Sequence, residues 1–225
     1  MKRAIAILLA LCVLCLTTGA TWQTVLTGIV SSGGVTYDFD ENFETATTGY
    51  EETGWTTVGA GNPALSSAVL QGSQVLTTST GTNLSGARRN RSATGEVWFY
   101  WQMYCVSGVV DDTFFFADSG LGNNYLSFSG GKARIRLGGS ISAGPSTFPL
   151  DTKMHVWYRF QPGSGTANAD LYYSTDGVRP ASPQASVTGA TYTTEADRPY
   201  WHNRSTYAIY FDRIIINSTA IGDNP

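Results

Sequence analysis

The stretch that decides the fold is MHVWYRFQPGSGTANADLYYSTDG, residues 154–177. Apolar and polar side chains alternate with period two on either side of PGSGTANA (162–169), which is typical of strands with one buried face. The Gly and Pro residues of the middle segment are typical of a hairpin loop, and the final Asp-Gly pair predicts a tight turn. The stretch therefore predicts two antiparallel strands that direct Val156, Tyr158 and Phe160 into a core.

Alternating runs of the same kind occur on both sides of this hairpin. Gly, Asn, Asp, Pro and Ser separate them, and the sequence shows no long helical pattern and no clear internal repeat. Many short strands at near-regular spacing predict an all-β fold, a two-sheet antiparallel β-sandwich or jelly roll. The predicted strands are 36–44, 69–77, 86–89, 96–107, 113–117, 125–129, 132–137, 155–161, 170–174 and 207–217.

The beginning of the chain has the pattern of a secretory signal peptide. A basic start precedes the apolar run Ala4–Leu16, which is short for a membrane-spanning helix, and Thr18 and Ala20 suit a cleavage site. The alternatives are a buried helix and an uncleaved anchor. No later run reaches membrane length, so we expect a secreted or cell-surface protein. The expected division is a signal peptide at 1–20, a linker at 21–35 and one β-sandwich domain at 36–225.

The amino-acid composition limits the binding partners and the disulfides that we expect. The chain has 14 Lys and Arg against 17 Asp and Glu, a net charge of −3, and so few cations predict no nucleic-acid binding. Of the three cysteines, two lie in the predicted signal peptide. Cys105 alone remains, in an apolar strand, so we expect a buried thiol and no internal disulfide.

The acidic stretch TYDFDENFET, residues 36–45, raises the question of a calcium site. Its period-two alternation predicts a strand with Phe39 and Phe43 inward and the acidic side chains outward. An EF-hand loop requires Gly and Glu at positions that Phe43 and Gly49 occupy here. A structural calcium ion therefore stays only an alternative, held by Asp38 or Asp40 with distant partners, or by the predicted turn at Asp111 and Asp112.

Five segments follow one another in a characteristic order. They are DFDENFE (38–44), GSQVL (72–76), EVWFYWQMY (96–104), MHVWYRF (154–160) and YAIYFDRIIIN (207–217). In this order they resemble the strands of the concanavalin A-like lectin/glucanase superfamily, in its laminin-G-like form. The resemblance covers most of residues 36–225 and implies a jelly roll. That superfamily contains sugar-binding modules, glycosidases, lyases, and adhesion or virion components, so the fold does not determine the function.

The sequence contains no catalytic signature. The Glu-x-Asp-x-x-Glu strand of the related glucanases and the alginate-lyase motifs are absent. His155 and His202 are the only histidines, and no nucleophile elbow, phosphate loop or zinc spacing is present. We therefore predict no catalytic residue and no metal ligand, and an enzyme is the less favoured alternative.

One nominal face of four predicted strands combines aromatic and hydrogen-bonding side chains. A pyranose ring stacks on Trp or Tyr, and its hydroxyls pair with Arg, Gln and His. The planar Arg group also suits the carboxylate of an acidic polysaccharide. Alternatively, such residues serve cross-strand pairing or a subunit interface. The candidate ligand-binding residues are Trp98, Tyr100, Gln102, Arg134, Arg136, Trp157, Arg159, Tyr172 and, in a predicted loop at 197–206, Trp201.

The favoured hypothesis is a secreted, non-catalytic, lectin-like module whose partner is a polysaccharide or glycan. One alternative is a structural or adhesive component of a cell surface, virion or filament, in which the same face mediates self-assembly or binds a surface partner. A second alternative is a glycoside hydrolase or polysaccharide lyase of the same fold.

Overall fold

The computed structural model describes residues 36–44, 54–59, 63–67, 70, 74–78, 85–91, 94–106, 113–118, 123–203 and 207–225. The predicted signal peptide and linker lie outside these residues, as does the turn at Asp111 and Asp112. The chain from Tyr37 to Pro225 forms one compact unit. Within its described part, no helix has the length and apolar character needed to cross a bilayer.

The described residues are all-β. Their strands are β1 (Phe39–Glu41), β2 (Thr56–Gly59), β3 (Ala64–Ser67), β4 (Gln74–Thr78), β5 (Ser85–Arg88), β6 (Val97–Cys105), β7 (Thr113–Phe116), β8 (Asn124–Ser129), β9 (Lys132–Leu137), β10 (Ser140–Ala143), β11 (Lys153–Pro162), β12 (Ala167–Ser174), β13 (Ala185–Ala190), β14 (Tyr200–Asn203) and β15 (Ile209–Asn217).

These strands form two antiparallel sheets. Sheet A has the order β13-β12-β11-β6-β15-β4-β3, and β1 also pairs with β15. Sheet B has the order β10-β9-β8-β7-β14-β5-β2. The predicted two-sheet β-sandwich, a jelly roll, is confirmed.

An aromatic core fills the space between the sheets. Trp101 of sheet A stacks on Phe115 of sheet B, with ring centroids 5.0 Å apart, and the edge of Trp201 meets Trp101 at 5.8 Å. Val156, Tyr158 and Phe160 are fully buried there, Phe39 is partly buried against the core, and Cys105 is buried as expected. The period-two pattern therefore assigned the inner face correctly.

Two register shifts determine which side chains reach the outer faces. Between Thr113 and Phe115 the pairing of β7 with β8 shifts by one residue, so Phe115 and the preceding phenylalanine both enter the core. Phe116 then lies on the outer face of sheet B. In β15 a second shift occurs next to Arg213, whose φ is 40°. As a result Ile215 lies on the outer face of sheet A.

The strand predicted at 36–44 is wrong in its length and in the outward orientation of the acidic Glu41 side chain. Only β1 is extended, and the chain turns at Phe43, whose φ is 61°. The Glu41 carboxylate accepts a hydrogen bond from the Phe43 amide at 2.6 Å, and Glu41 is only 7% exposed. Phe43 does reach the core, where its ring lies 5.8 Å from that of Trp55.

Candidate functional site

The structure brings six of the nine candidate ligand-binding residues together on the outer face of sheet A. Strands β6, β11 and β12 are neighbours, and their register pairs Tyr100 with Trp157, and Trp157 with Tyr172. Trp98 pairs with Arg159 on the same face. Gln102 also faces this side and pairs with His155.

The aromatic members of this set do not form an open surface. We call Trp98, Tyr100, Trp157, Tyr172, Ile215 and Ile221 the outer cluster. None of its side chains is more than 8% exposed, because residues 218–225 lie across them. The indole Nε1 of Trp157 donates to the Gly222 carbonyl at 3.1 Å. The rings therefore form a second small core, and sugar binding by them stays a prediction.

The loop between β12 and β13 anchors this covering segment. The guanidinium of Arg179 lies 4.6 Å from the Trp98 ring centroid and donates to the Ile221 carbonyl at 2.7 Å. Its backbone amide donates to Asp223 at 2.8 Å. One cation thus links residues 218–225 to the aromatic rings below them.

Arg159 is already engaged by carboxylates of its own chain. Its guanidinium contacts both oxygens of Glu96 at 3.2 Å and Asp170 at 3.4 Å. Burial raises the pKa of Glu96, but hydrogen bonds from Arg159, Trp98 and Gln161 outweigh burial and lower that pKa. The Arg159 guanidinium, which we predicted to bind a glycan carboxylate, is therefore already paired with carboxylates of the same chain.

A polar pocket of about 370 Å³ opens beside the outer cluster. Its lining residues are Tyr100, Gln102, Lys153, His155, Asp176, Asn224 and Pro225. The Tyr100 hydroxyl lies 2.8 Å from Nδ1 of His155. Burial lowers the pKa of His155, and the nearby Lys153 ammonium adds to the effect while Asp176 opposes it. Burial also raises the pKa of Tyr100 well above its ordinary value.

Arg134 and Arg136 lie on the other sheet, so the four predicted strands do not share one face. On the outer side of sheet B, the strand registers align a row of side chains that we call the cross-strand row. Directly paired neighbours follow one another along it. Its members are Arg136 on β9, Tyr125 on β8, Phe116 on β7, Tyr200 on β14 and Arg88 on β5.

The middle of this row is a cluster of stacked rings. Phe116 lies 5.4 Å from Tyr125 and 5.9 Å from Tyr200, and His202 stacks on Phe116 and Tyr200 at 4.9 Å from each. Gly86 pairs with His202, where an added Cβ would clash with the Trp201 carbonyl and the Tyr200 ring. The glycine therefore allows the Tyr200 ring to pack over β5.

Several polar groups on this face have unused hydrogen-bonding capacity. Within the described part of the chain, Nε of Arg88, Nε of Arg134 and the Tyr200 hydroxyl are buried and have no hydrogen-bond partner. Burial raises the pKa of Tyr200, and Arg88 opposes that rise. Buried polar groups in native proteins are nearly always paired. Each of these three groups therefore still needs a hydrogen-bond partner, which a water molecule or a ligand can supply.

Tyr125 and Arg136 form one end of the row. Both are half-buried, and Arg136 donates to the Tyr125 hydroxyl at 3.1 Å while its guanidinium lies 5.7 Å from the Tyr125 ring centroid. Arg134 lies two residues before Arg136, on the same face of β9, and pairs with Ser127. The described residues contain no group of three or more His, Cys, Asp or Glu side chains arranged to hold a metal ion.

The prediction of a loop around Trp201 is wrong. Residues 200–203 form β14, and Trp201 is fully buried in the core, where it cannot meet a ligand. Its neighbours Tyr200 and His202 point outward; the candidate loop at 197–206 contained them, but only Trp201 was selected from it as a site residue. No such candidate was predicted at Arg88, Phe116 or Tyr125. The alternation of YWHN was the signal for Tyr200 and His202, but a four-residue strand next to Pro199 resembles a loop in sequence.

No family model matches the chain, and no curated protein matches it by sequence. Solved structures do match. A cellulose-induced protein, Cip1, is 16% identical with a TM-score of 0.58, covering 82% of this chain and 99% of that chain. The marine PL-14 alginate lyase from Aplysia kurodai is 8% identical with a TM-score of 0.61, covering 82% and 100%.

A third similar structure is the catalytic domain of the glycoside hydrolase family 131 protein from Coprinopsis cinerea. It is 12% identical with a TM-score of 0.55, and the match covers 85% of this chain and 97% of that domain. The likeness is one of fold. The chain shares its jelly-roll sandwich with an alginate lyase and a glycoside hydrolase domain, and identities this low transfer no residue roles.

Proposed function

We propose that this protein is a secreted carbohydrate-binding module that holds an acidic glycan on the outer face of sheet B. The observation that carries the proposal is the cross-strand row, in which stacked rings are flanked by Arg88 and Arg136. Among the described residues, the buried donors of Arg88, Arg134 and Tyr200 have no hydrogen-bond partner. The structural likeness to carbohydrate-related jelly rolls and the resemblance to the concanavalin A-like superfamily support a sugar ligand.

The chemistry of these groups favours an acidic sugar over a neutral one. A guanidinium binds a carboxylate or sulfate through two parallel hydrogen bonds, which are stronger than bonds to neutral acceptors. Arg136 and Arg134 lie on the half-buried part of the face, where a polymer can approach them. Tyr125 offers a ring edge and a hydroxyl for a sugar ring. The outer face of sheet A lacks this capacity because its rings are covered and Arg159 is paired.

A titration calorimetry experiment with the full chain tests the proposal. Oligosaccharides of uronic acids and sulfated sugars are compared with neutral oligosaccharides of the same length. We expect saturable binding of an acidic oligosaccharide, weakened about tenfold or more by Arg88→Ala and by Arg136→Ala. Arg159→Ala, on the opposite face, is the matched control and should bind like the wild type. Equal affinity for neutral oligosaccharides, or no effect of either variant, would overturn the proposal.

A second candidate function, a polysaccharide lyase, is supported by the Tyr200 hydroxyl. It has no described hydrogen-bond partner and lies beside Arg88 and His202. A tyrosine can serve as general base and then general acid. As a tyrosinate, the form that the Arg88 charge favours, Tyr200 would take the proton next to a uronate carboxyl whose charge Arg88 neutralises. The glycosidic C–O bond would break to leave a C=C bond, and Tyr200 would return the proton to the leaving oxygen. Ultraviolet absorbance of an unsaturated product, lost in Tyr200→Phe while binding persists, would establish cleavage.

A further inference from the structure

We infer that the pocket around His155 is a second binding site, which takes a single neutral sugar residue. It lies on the outer face of sheet A, opposite the cross-strand row, and does not depend on the proposed function of that row. Both sites can therefore be tested separately in the same protein.

The size of the pocket limits the ligand. Its volume of about 370 Å³ is near the lower end of the range for small-molecule sites, about 300–1,000 Å³. The floor is formed by strands β6 and β11, which supply Tyr100, Gln102, Lys153 and His155. A pocket of this size suits one sugar ring and leaves a longer chain to extend into solvent.

Six of the seven lining residues carry polar or charged groups, unlike the mostly apolar pockets that bind hydrophobic ligands. Gln102 and Asn224 supply carboxamides and Lys153 an ammonium group, and these groups pair with alcohols. The two charged side chains, Lys153 and Asp176, have opposite signs. A neutral, hydroxyl-rich ligand can use both, whereas a polyanion would gain from Lys153 and lose to Asp176.

A hydrogen bond joins Tyr100 and His155 in the floor of the pocket. Because burial lowers the pKa of His155, its ring is neutral near pH 7. The Tyr100 hydroxyl, which burial keeps protonated, lies 2.8 Å from Nδ1, and the tautomer of the ring decides which of the two groups donates. In the tautomer that carries its proton on Nε2, Tyr100 donates to Nδ1, and Nε2 is a donor that suits a sugar hydroxyl oxygen.

One wall of the pocket belongs to the segment 218–225. Asn224 and Pro225 line the cavity, and the Asn224 amide donates to the Gly177 carbonyl at 2.8 Å. Gly177 has φ of 80°, and an added Cβ would clash with the Asn224 side chain. The β12–β13 turn therefore needs glycine here to let Asn224 pack beside His155. Binding in this pocket requires the segment to stay in place.

The chain's two histidines report on the two faces separately. His155 lines the pocket, and His202 lies in the ring cluster of sheet B. Imidazole NMR signals of the full chain, labelled with ¹⁵N-histidine, are followed while methyl glycosides of neutral hexoses are added. We expect saturable shifts of the His155 signals with at least one hexoside and none at His202. The acidic oligosaccharide of the proposed function should do the reverse.

Variants of the pocket wall complete the test. Asn224→Ala and Lys153→Met should each weaken the hexoside titration about fivefold or more, with the NMR spectrum otherwise retained. Lys132→Met, on β9 of the other sheet, is the matched control. No saturable His155 shift with any hexoside would overturn the inference. So would unchanged affinity in both wall variants, or tighter binding of acidic sugars or free amino acids at His155.

Discussion

The Tyr100 hydroxyl and Nδ1 of His155 lie 2.8 Å apart on the adjacent strands β6 and β11. The imidazole is 7% exposed, and the ammonium of Lys153 is nearby. Both burial and this charge disfavour a proton on the ring, so the folded protein holds His155 neutral at a pH where an unfolded chain begins to protonate it.

This pair predicts a dependence of stability on pH. The pKa of His155 is lowered on folding from an unfolded value of about 6.5, so below that pH the unfolded state binds more protons than the native state. The free energy of unfolding should therefore fall as pH decreases from about 6.5 toward the folded pKa. Urea unfolding midpoints across this range should change less in His155→Gln than in the wild type. Parallel curves for the two proteins would contradict the assignment.

The outer cluster should contribute to global stability rather than provide a loose surface. Ile221 has no exposed surface and packs on the aromatic rings. Ile221→Ala should lower the free energy of unfolding by about 2–5 kcal/mol, the usual cost of such a truncation in a core. Denaturant unfolding measures it, with Ile141→Ala on the exposed edge strand β10 as control, since Ile141 is 59% exposed. A loss equal to that of the control would mean that residues 218–225 do not cover the cluster in solution.

The outer cluster also shows what period-two alternation can predict. It assigned Trp98, Tyr100 and Trp157 correctly to the face away from the main core, because side-chain direction is a local property of a strand. Whether that face meets solvent depends on a segment more than 60 residues further along the chain. Ile221 and the adjacent Gly222 carbonyl cover Trp157, and no local pattern in β11 encodes that contact.

The sequence also did not allow us to predict which of the two sheets each strand joins. Arg134 and Arg136 alternate outward as the sequence predicts, but β9 pairs with β8 and β10 in sheet B, away from β11. The composition of the cross-strand row depends on such pairings and on the shift in β7 that directs Phe116 outward. Strand partners are set by non-local pairing, so a single sequence gives the face of each residue and not its neighbours.

Glu96 should make a small contribution that depends on pH and salt. It accepts hydrogen bonds from Arg159, Gln161 and Trp98, which lower its pKa, so its contribution is present at neutral pH and lost as pH falls through the folded pKa. Because the Glu96 side chain is 36% exposed, Glu96→Gln should cost less than about 1 kcal/mol. Unfolding from pH 7 downward, at low and high salt, should show a difference between variant and wild type that is full at pH 7 and shrinks as the pH falls. A difference that does not shrink with falling pH would point to packing instead.

Arg88 should act through its hydrogen-bonding geometry and not only through its charge. Its Nε is buried without a described partner, and a bidentate contact to a carboxylate uses that N–H, which lysine lacks. Arg88→Lys should therefore weaken acidic-oligosaccharide binding about tenfold while keeping the wild-type salt dependence, because the charge is retained. Arg88→Ala should weaken binding further and reduce the dependence on ionic strength. Calorimetric titrations at two salt concentrations distinguish these effects. Wild-type affinity in Arg88→Lys would show that the site recognises its ligand by charge alone.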